Sequence, residues 1–417
     1  MDNLQQFLVD NTHKIPKNFD WQFYISYHKD VYNRGFTTED LAKYHYVVYG
    51  KTENRIYHSE SMIDCFISDE QTTSNSMAIF IDVPPKELLF AGYHSFFNDI
   101  SLVIDQFDEI IIIATNINRN NIQTFPLYTK YPKKIKFLEY QNINKLKYEP
   151  KIIYVYNSYY FLKAKNHFNT TKIIYYCQEY EAGFHPFGDK FLLSEKAIYN
   201  SKNLIISTSI LENYLKSKNL IDHKKQNILI TQPKIDLIEN ITLQKTKNIF
   251  FYFRPERWNS RNLPYLILNT AKIISDKYPE YNLYLGGATN LSDIYHELQD
   301  VSNNIHIRTK MTYKDYTQHI ADMNLVVALI YSAHPGVIPF QSAMSGIPSI
   351  TNIYDNRDKV YLSKISKNLF GFDPIKDKLE TIIDEALCYP KGDKEFNMKL
   401  YADITSSIIN FQEKILT

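Results

Sequence analysis

Several features that would fix the class of this chain are scarce or missing. Three cysteines, Cys65, Cys177 and Cys388, are spread over 417 residues with no CxxC spacing. That excludes a disulfide framework and a paired-thiolate metal site, and fits buried thiols in a reducing compartment. Charge of one sign is missing as well. Forty-seven Lys and Arg against 46 Asp and Glu leave +1, without the basic field that nucleic acid requires. No window approaches the roughly 18 apolar residues of a membrane span, and the opening MDNLQQFLVDNTHK has no basic stretch ahead of an apolar core. Neither a membrane span nor a secretory leader is expected. The twelve histidines include no close pair, and there is no HExxH, EF-hand, Walker A or GxSxG sequence. Zinc, calcium, P-loop and hydrolase-elbow chemistry are therefore unsupported. A cytoplasmic protein with no metal and no resident cofactor is the expectation.

What is present is a repeated grammar of short apolar runs separated by polar stretches of helix length. MAIFIDV (77–83), EIIIIAT (109–115), KIKFLEY (135–141), KIIYVYN (151–157), KIIYYCQ (172–178) and NLIISTS (203–209) read as strands buried on both faces, because β-branched residues continue without alternation. After the polar stretch 238–248 the grammar restarts with NIFFYFRP (248–255), YNLYLGG (281–287), NIHIRT (304–309), NLVVALI (324–330) and IPSITN (347–352). At this length two domains are expected. The fold class that follows is α/β, with two Rossmann-like domains facing a cleft: an N-terminal one over 61–240 and a C-terminal one over 241–400. Ligands of such sheets sit at the carboxyl ends of the strands. Residues 1–60 differ. FDWQFYISYHKDVYNRGFTTEDLAKYHYVVYGKTENR carries aromatics at helical spacing and an N-cap at Thr37 or Thr38, which predicts a small helical appendage whose aromatics pack. Residues 401–417 read as an amphipathic helix packing back across the domain boundary.

Three stretches carry chemistry. YSAHPGVIPFQSAMSGIPSITN (331–352) follows a predicted strand, with Pro339 placed to start a short helix and Gly346 to stop it. Its helix-terminal N–H groups suit a diphosphate, and Gly336 permits close approach of backbone. FRPERWNSRN (253–262) puts Arg254 and Arg261 at a strand end, where guanidinium forks match phosphates; Asn262 is placed to cap the next helix. LGGATN (285–290) brings Gly286 to a strand end. In the first half, FAGYHSFFND contains Gly92 and His94, and YYCQEYEAGFHPFGDK (175–190) contains Glu179, Tyr180, Glu181, Phe184 and His185. Carboxylates beside aromatic faces suit sugar hydroxyls and pyranose rings, and a Glu or His there suits a general base.

At these residues the sequence resembles GT-B fold glycosyltransferases, in particular bacterial rhamnosyltransferases of the WsaF type. CQEYEAGFHPFG is similar to that group's Q-D-Y-E-P-x-F segment, FRPERWNSRN to its R-P…R-N segment, and SAHPGVIPFQSAMSGIPSITN to its S-P-H-P…E…G…V-T-N segment. The resemblance implies a metal-independent transferase with the nucleotide sugar on the C-terminal domain and the acceptor on the N-terminal one. It implies that Arg254 and Arg261 hold the diphosphate with Asn262 and Gly286 close by. Lys310 and Met311, within 309–311, would face the base, and His334, Pro335 and Gly336 would border the sugar and phosphates. Gln341 takes the slot of a glutamate that bonds the ribose, and Ala333 that of a second acidic residue. On the acceptor side it points to Gly92, Tyr180 and Phe184. Glu179, Glu181, His94 and His185 are the candidates for a base if the transfer inverts configuration; a retaining transfer requires none of them. The implied partners are a nucleotide diphosphate sugar and a glycan or lipid-linked glycan, at the inner face of the membrane. The sugar would be rhamnose or a similar hexose or heptose, and the product capsule, O-antigen or lipooligosaccharide. Two other readings share the scaffold: a non-catalytic glycan-binding or assembly subunit, motivated by Ala333 and Gln341, and a transferase of a non-sugar group such as polyol phosphate.

Overall fold

The computed structural model describes residues 2–416 except 54, 56, 59–72, 90, 232–234, 245, 299–300 and 402–407; Cys65 lies outside the described residues, as does part of the predicted C-terminal helix. The chain divides into two compact units, residues 1–155 and 156–415.

The first unit opens with helices Asp2–Asp10, Trp21–Tyr27, Lys29–Asn33 and Glu39–His45. Thr38 caps the last of these by accepting the amide of Leu41. The helical aromatics do pack: Tyr24 and Tyr46 are buried with Ile25, Val31 and Ala42, against Phe19, Trp21, Phe36 and Tyr57. Four parallel strands follow, β1 (Ser76–Phe80), β2 (Glu109–Ala114), β3 (Ile135–Glu139) and β4 (Ile152–Val155), in the order β3-β2-β1-β4. β1, β2 and β4 are buried at every residue, which is why their sequences show continuous rather than alternating apolar runs.

The second unit holds β5 (Ile173–Cys177), β6 (Asn203–Ile206) and β7 (Asn227–Ile230), parallel in that order. It also holds a six-stranded parallel sheet of β8 (Asn248–Tyr252), β9 (Asn282–Gly286), β10 (Ile305–Arg308), β11 (Leu325–Val327), β12 (Ser349–Asn352) and β13 (Leu369–Phe372). Their order is β10-β9-β8-β11-β12-β13. Renumbered within the sheet this is 3-2-1-4-5-6, the doubly wound arrangement, whose direction reverses between β8 and β11. Alternate residues build its two faces. Ile249, Phe251 and Phe253 join Leu283, Leu285, Leu325 and Val327 against helix Pro264–Lys277, while Phe250 and Val326 join Ile320 and Ile347 on the other side. Each large apolar side chain buried in this way contributes about 1.5–3 kcal/mol, against about 0.5–1.5 for a net hydrogen bond. The apolar pattern therefore sets where the sheet lies, and polar contacts only orient the loops above it.

The strand runs read from sequence match these elements within a few residues, except that β7 and β13 have no counterpart there. Both are four residues long and pair on one side only. β7 is half exposed, and β13 contains Gly371, so neither leaves a continuous apolar signal. Among the described residues no helix is long and apolar enough to cross a membrane.

Gly286 ends β9 where a Cβ would stand 2.6 Å from the Phe250 ring and 3.2 Å from Met311 Sδ. Gly286→Ala is expected to cost about 1–3 kcal/mol through overpacking, read as a lower urea midpoint with an unchanged slope; an unshifted midpoint would contradict this packing.

Candidate functional site

Loops leaving β8 and β11 rise side by side at the reversal of strand order, the place where doubly wound sheets bind ligands. The loop after β8 is organised by a buried carboxylate that sequence reading passed over. Glu256 Oε1 accepts the amide and the hydroxyl of Thr289, each at 2.6 Å, and Oε2 accepts Arg254 Nε at 3.1 Å and Asn259 Nδ2 at 3.2 Å. This one side chain ties the loop after β8 to the loop after β9. Burial alone would raise its pKa, but the Thr289 bonds and the Arg254 charge outweigh it and hold the carboxyl at about 2. Burial likewise works against the Arg254 guanidinium, and Tyr252 and Glu256 more than offset it, so it stays charged. Arg254 also donates to the Tyr252 hydroxyl at 3.2 Å.

Arg261 lies seven residues on, half exposed. Its guanidinium sits 4.2 Å over the Phe184 ring and bonds the Trp258 carbonyl at 3.2 Å, while its Nε is buried without a partner. The short helix Arg257–Asn262 that carries it ends at Leu263, which adopts a left-handed φ of 52° and stands at the N-cap of Pro264–Lys277 with no side-chain cap. Asn262 therefore does not cap that helix. Its amide reaches across to the Leu329 carbonyl at 3.1 Å and anchors the loop to the end of β11.

The loop after β11 is held from below by Arg357, another residue without a sequence signal. It is fully buried, and Nη1 donates to the carbonyls of Ser332 (2.7 Å) and Ala333 (3.2 Å) while Nη2 donates to that of Ile330 (3.0 Å). Burial lowers its pKa to about 10, partly offset by Glu179 and Tyr354. Asn356 adds a bond to the Ala333 carbonyl at 3.0 Å, and Asn352 accepts the Ile330 amide at 2.6 Å. With three carbonyls turned toward Arg357, the amide that follows Ala333 is directed the other way. There it meets Glu179: Oε1 accepts the His334 amide at 3.2 Å, the Ser332 hydroxyl at 2.6 Å and the Tyr180 amide at 3.0 Å. The ring of His334 accepts the Gly336 amide on Nδ1 at 3.0 Å. Burial, with Arg357 and Arg261 nearby, lowers its pKa against the opposing pull of Glu179, so the ring is neutral at pH 7 with its proton on Nε2. Gly336 has φ of 73°, in the region glycine favours.

Helix Ile338–Met344 follows, with Pro339 in its first turn and Gly346, φ 87°, just past its end. Gln341 is buried within it and its amide is fully engaged. Nε2 donates to the Asp236 carbonyl at 2.8 Å and to Tyr313 OH at 3.1 Å, and Oε1 accepts Tyr316 OH at 3.4 Å. Pro335 is buried and Ala333 has no exposed surface. Lys310 is exposed in a left-handed conformation, φ 53°, and Met311 packs beside Phe250.

The remaining candidates separate by environment. Glu181 is sealed in: Oε2 accepts the Ser158 amide at 2.7 Å and Oε1 the Tyr175 hydroxyl at 3.2 Å. Tyr180 is buried with its hydroxyl on Glu195 at 2.7 Å. Phe184 is exposed beside Arg261, and His185 is half-buried with its pKa lowered by burial and by Lys190. Gly92 and His94 lie in helix Ala91–Ser101 of the first unit, half-buried and exposed respectively. Among the described residues no three His, Cys, Asp or Glu side chains gather as metal ligands.

Residues 247–384 match the family model of the WsaF C-terminal domain, a segment that contains the six-stranded sheet and both loops. No curated protein matches the chain by sequence. Among solved structures it is similar to the sucrose-phosphate synthase of Thermosynechococcus elongatus, 12% identical, with 82% of this chain and 94% of that one covered and a TM-score of 0.53. It is similar to Anabaena HepE in complex with UDP, 10% identical, covering 75% and 90% at a TM-score of 0.53. WaaG, a glycosyltransferase involved in lipopolysaccharide biosynthesis, is 11% identical, covering 82% and 94% at 0.51. The chain has the GT-B fold that its sequence motifs imply.

Two outcomes follow from these environments. Gln341→Glu sets a carboxylate against the Asp236 carbonyl and removes a donor from a buried site, at an expected cost of about 1–3 kcal/mol; an unchanged denaturation midpoint would contradict the assigned contacts. Burial lifts Glu181 from its ordinary 4.5 to about 7, the Ser158 and Tyr175 bonds holding it from rising further. The folded chain then holds a proton that the unfolded chain has released, and stability falls as pH rises from about 4.5 through 7. Glu181→Gln is expected to raise the melting temperature over the parent more at pH 8 than at pH 5; an equal or reversed difference would contradict the burial of this carboxyl.

Proposed function

We propose that the chain is a glycosyltransferase that takes a sugar from a nucleotide diphosphate sugar and adds it to a bacterial surface glycan. The observation that carries this reading is the pair of loops at the β8/β11 reversal, one bearing two arginines and the other carrying His334, whose Nδ1 is engaged and whose Nε2–H is not. In the transfer, an acceptor hydroxyl attacks the anomeric carbon and loses its proton. The bond from that carbon to the phosphate oxygen breaks, and its electron pair leaves with the diphosphate. The half-exposed Arg261 guanidinium and the charged Arg254 of the same loop stabilise the developing anion, the electrostatic effect most suited to a diphosphate leaving group. No metal is required in this scheme. Rhamnose or a similar hexose or heptose is the proposed cargo, capsule, O-antigen or lipooligosaccharide the proposed product, and the cytoplasm, at the inner membrane face, the proposed location.

For an inverting transfer the base is proposed among His94 and His185, whose rings are open to solvent in whole or part. Glu181 is enclosed with both oxygens engaged, and Glu179 has another role, argued below. Ala333 and Gln341 motivated a non-catalytic reading; the burial of Ala333 and the hydrogen bonds of Gln341 give each a role in the fold, which supports the catalytic reading over it. Transfer of a polyol phosphate would be recognised by product mass.

Arg254→Ala would leave Glu256 buried without its cation, and breaking such a pair costs about 3–5 kcal/mol, so loss of activity there would not separate chemistry from folding. Arg261→Ala is the better test. It is expected to keep the parent's melting temperature within a few degrees and to reduce kcat by about 100-fold or more, with turnover of the parent unaffected by EDTA. Near-parent activity of Arg261→Ala would overturn the assigned leaving-group site, and inactivation by EDTA restored by a divalent cation would overturn metal independence.

A further inference from the structure

Among the described residues, the buried Nε of Arg357 beneath the loop after β11 and three further polar atoms around that loop have no protein hydrogen-bond partner. Glu179 uses only Oε1, which gathers the Ser332 hydroxyl and the amides of His334 and Tyr180, while Oε2 takes no hydrogen bond among the described residues. His334 uses Nδ1 for the Gly336 amide, which leaves Nε2–H as an open donor. Arg261 keeps an unpaired buried Nε, and its backbone carbonyl accepts the Tyr331 amide of the same loop at 2.6 Å. One rigidly held acceptor and two donors border the place where the leaving diphosphate is proposed to sit.

A carboxylate clamped by three donors through one oxygen has little freedom to swing, so its second oxygen is a preorganised acceptor. Position 333 of the loop cannot provide one, because Ala333 is small and fully buried. We propose that Glu179 is the sugar-recognising carboxylate of this site: Oε2 accepts a hydroxyl of the transferred glycosyl group, and Ser332 and the His334 amide act as the positioning groups that hold it there. The loop after β11 thereby obtains from the loop after β5 the acceptor that its own sequence lacks. This assignment rests on the transferase reading, and it predicts a signature that a general base would not give. A base lost at Glu179 lowers kcat and leaves donor affinity alone; a sugar acceptor lost there weakens the sugar nucleotide and spares the free nucleotide.

The test is calorimetry on the full chain with dTDP, UDP and GDP and with dTDP-rhamnose, UDP-glucose and GDP-mannose, for the parent, Glu179→Gln and Ser332→Ala. Gln keeps an acceptor for the clamp and replaces Oε2 by a donor. Glu179→Gln is expected to weaken the sugar nucleotide that the parent binds by about tenfold or more, with the matching free diphosphate changed less than about twofold. Ser332→Ala is expected to shift the same ratio in the same direction by a smaller factor. Equal weakening of both ligands would overturn the proposal in favour of a purely structural clamp, and unchanged binding of both would overturn it outright. A parent that binds a sugar nucleotide leaves the transferase reading standing in either case. A parent that binds none of the six ligands would overturn that reading and this one together.

Discussion

The site depends on a guanidinium that no ligand would touch. Arg357 is buried with no carboxylate in direct contact among the described residues, and it is kept there by the carbonyls of Ile330, Ser332 and Ala333. A cation in that position draws carbonyl oxygens to one side of the loop, and trans peptides then turn the following amides to the other. The outward amide of His334 meets Glu179, the Gly336 amide meets the His334 ring, and the loop acquires one shape. Glu256 has the complementary role, an anion holding the loops after β8 and β9 through four hydrogen bonds. Breaking either would leave a buried charge or several buried polar groups unmatched, at a cost far above that of a surface ion pair. The loops are thus fixed by internal charges, which leaves Arg261, His334 and Glu179 with groups free for a ligand.

Much of the fold was legible because its information is local. β1, β2 and β4 are buried on both faces and announce themselves as unbroken apolar runs; Pro339 and Gly346 bracket their helix as the backbone chemistry of those residues demands. β7 and β13 were not legible, since an edge strand of four residues needs no continuous apolar stretch. The cap expected at Asn262 failed for a related reason. Its side chain had a choice between a local amide and the Leu329 carbonyl 67 residues away, and only the assembled sheet puts the second within reach.

The same division runs through the site. Arg261, Glu179 and His334 stand in stretches whose residue types pointed to phosphate and sugar, whereas Arg357, Glu256 and Ser332 act through partners brought near by the fold. Gln341 shows how much a side chain's meaning depends on the assembled fold. In the sequence it takes the slot of a ribose-bonding glutamate, and in the structure its amide joins the Asp236 carbonyl, Tyr313 and Tyr316, where a glutamate would lack the donor. An uncharged side chain at 341 fits the contacts the fold makes there, and the Glu179 carboxylate bonds the loop on either side of the buried Ala333.

The central claim is that a nucleotide diphosphate lies at the β8/β11 reversal, between Arg261 and the loop after β11. A crystal structure of the chain with the tightest-binding nucleotide diphosphate tests it most directly. The account predicts the terminal phosphate within hydrogen-bond distance of the Arg261 guanidinium and of the His334 Nε2–H, with Gln341 still on Asp236. A nucleotide bound elsewhere, or one at this site that touches neither Arg261 nor that loop, would contradict it.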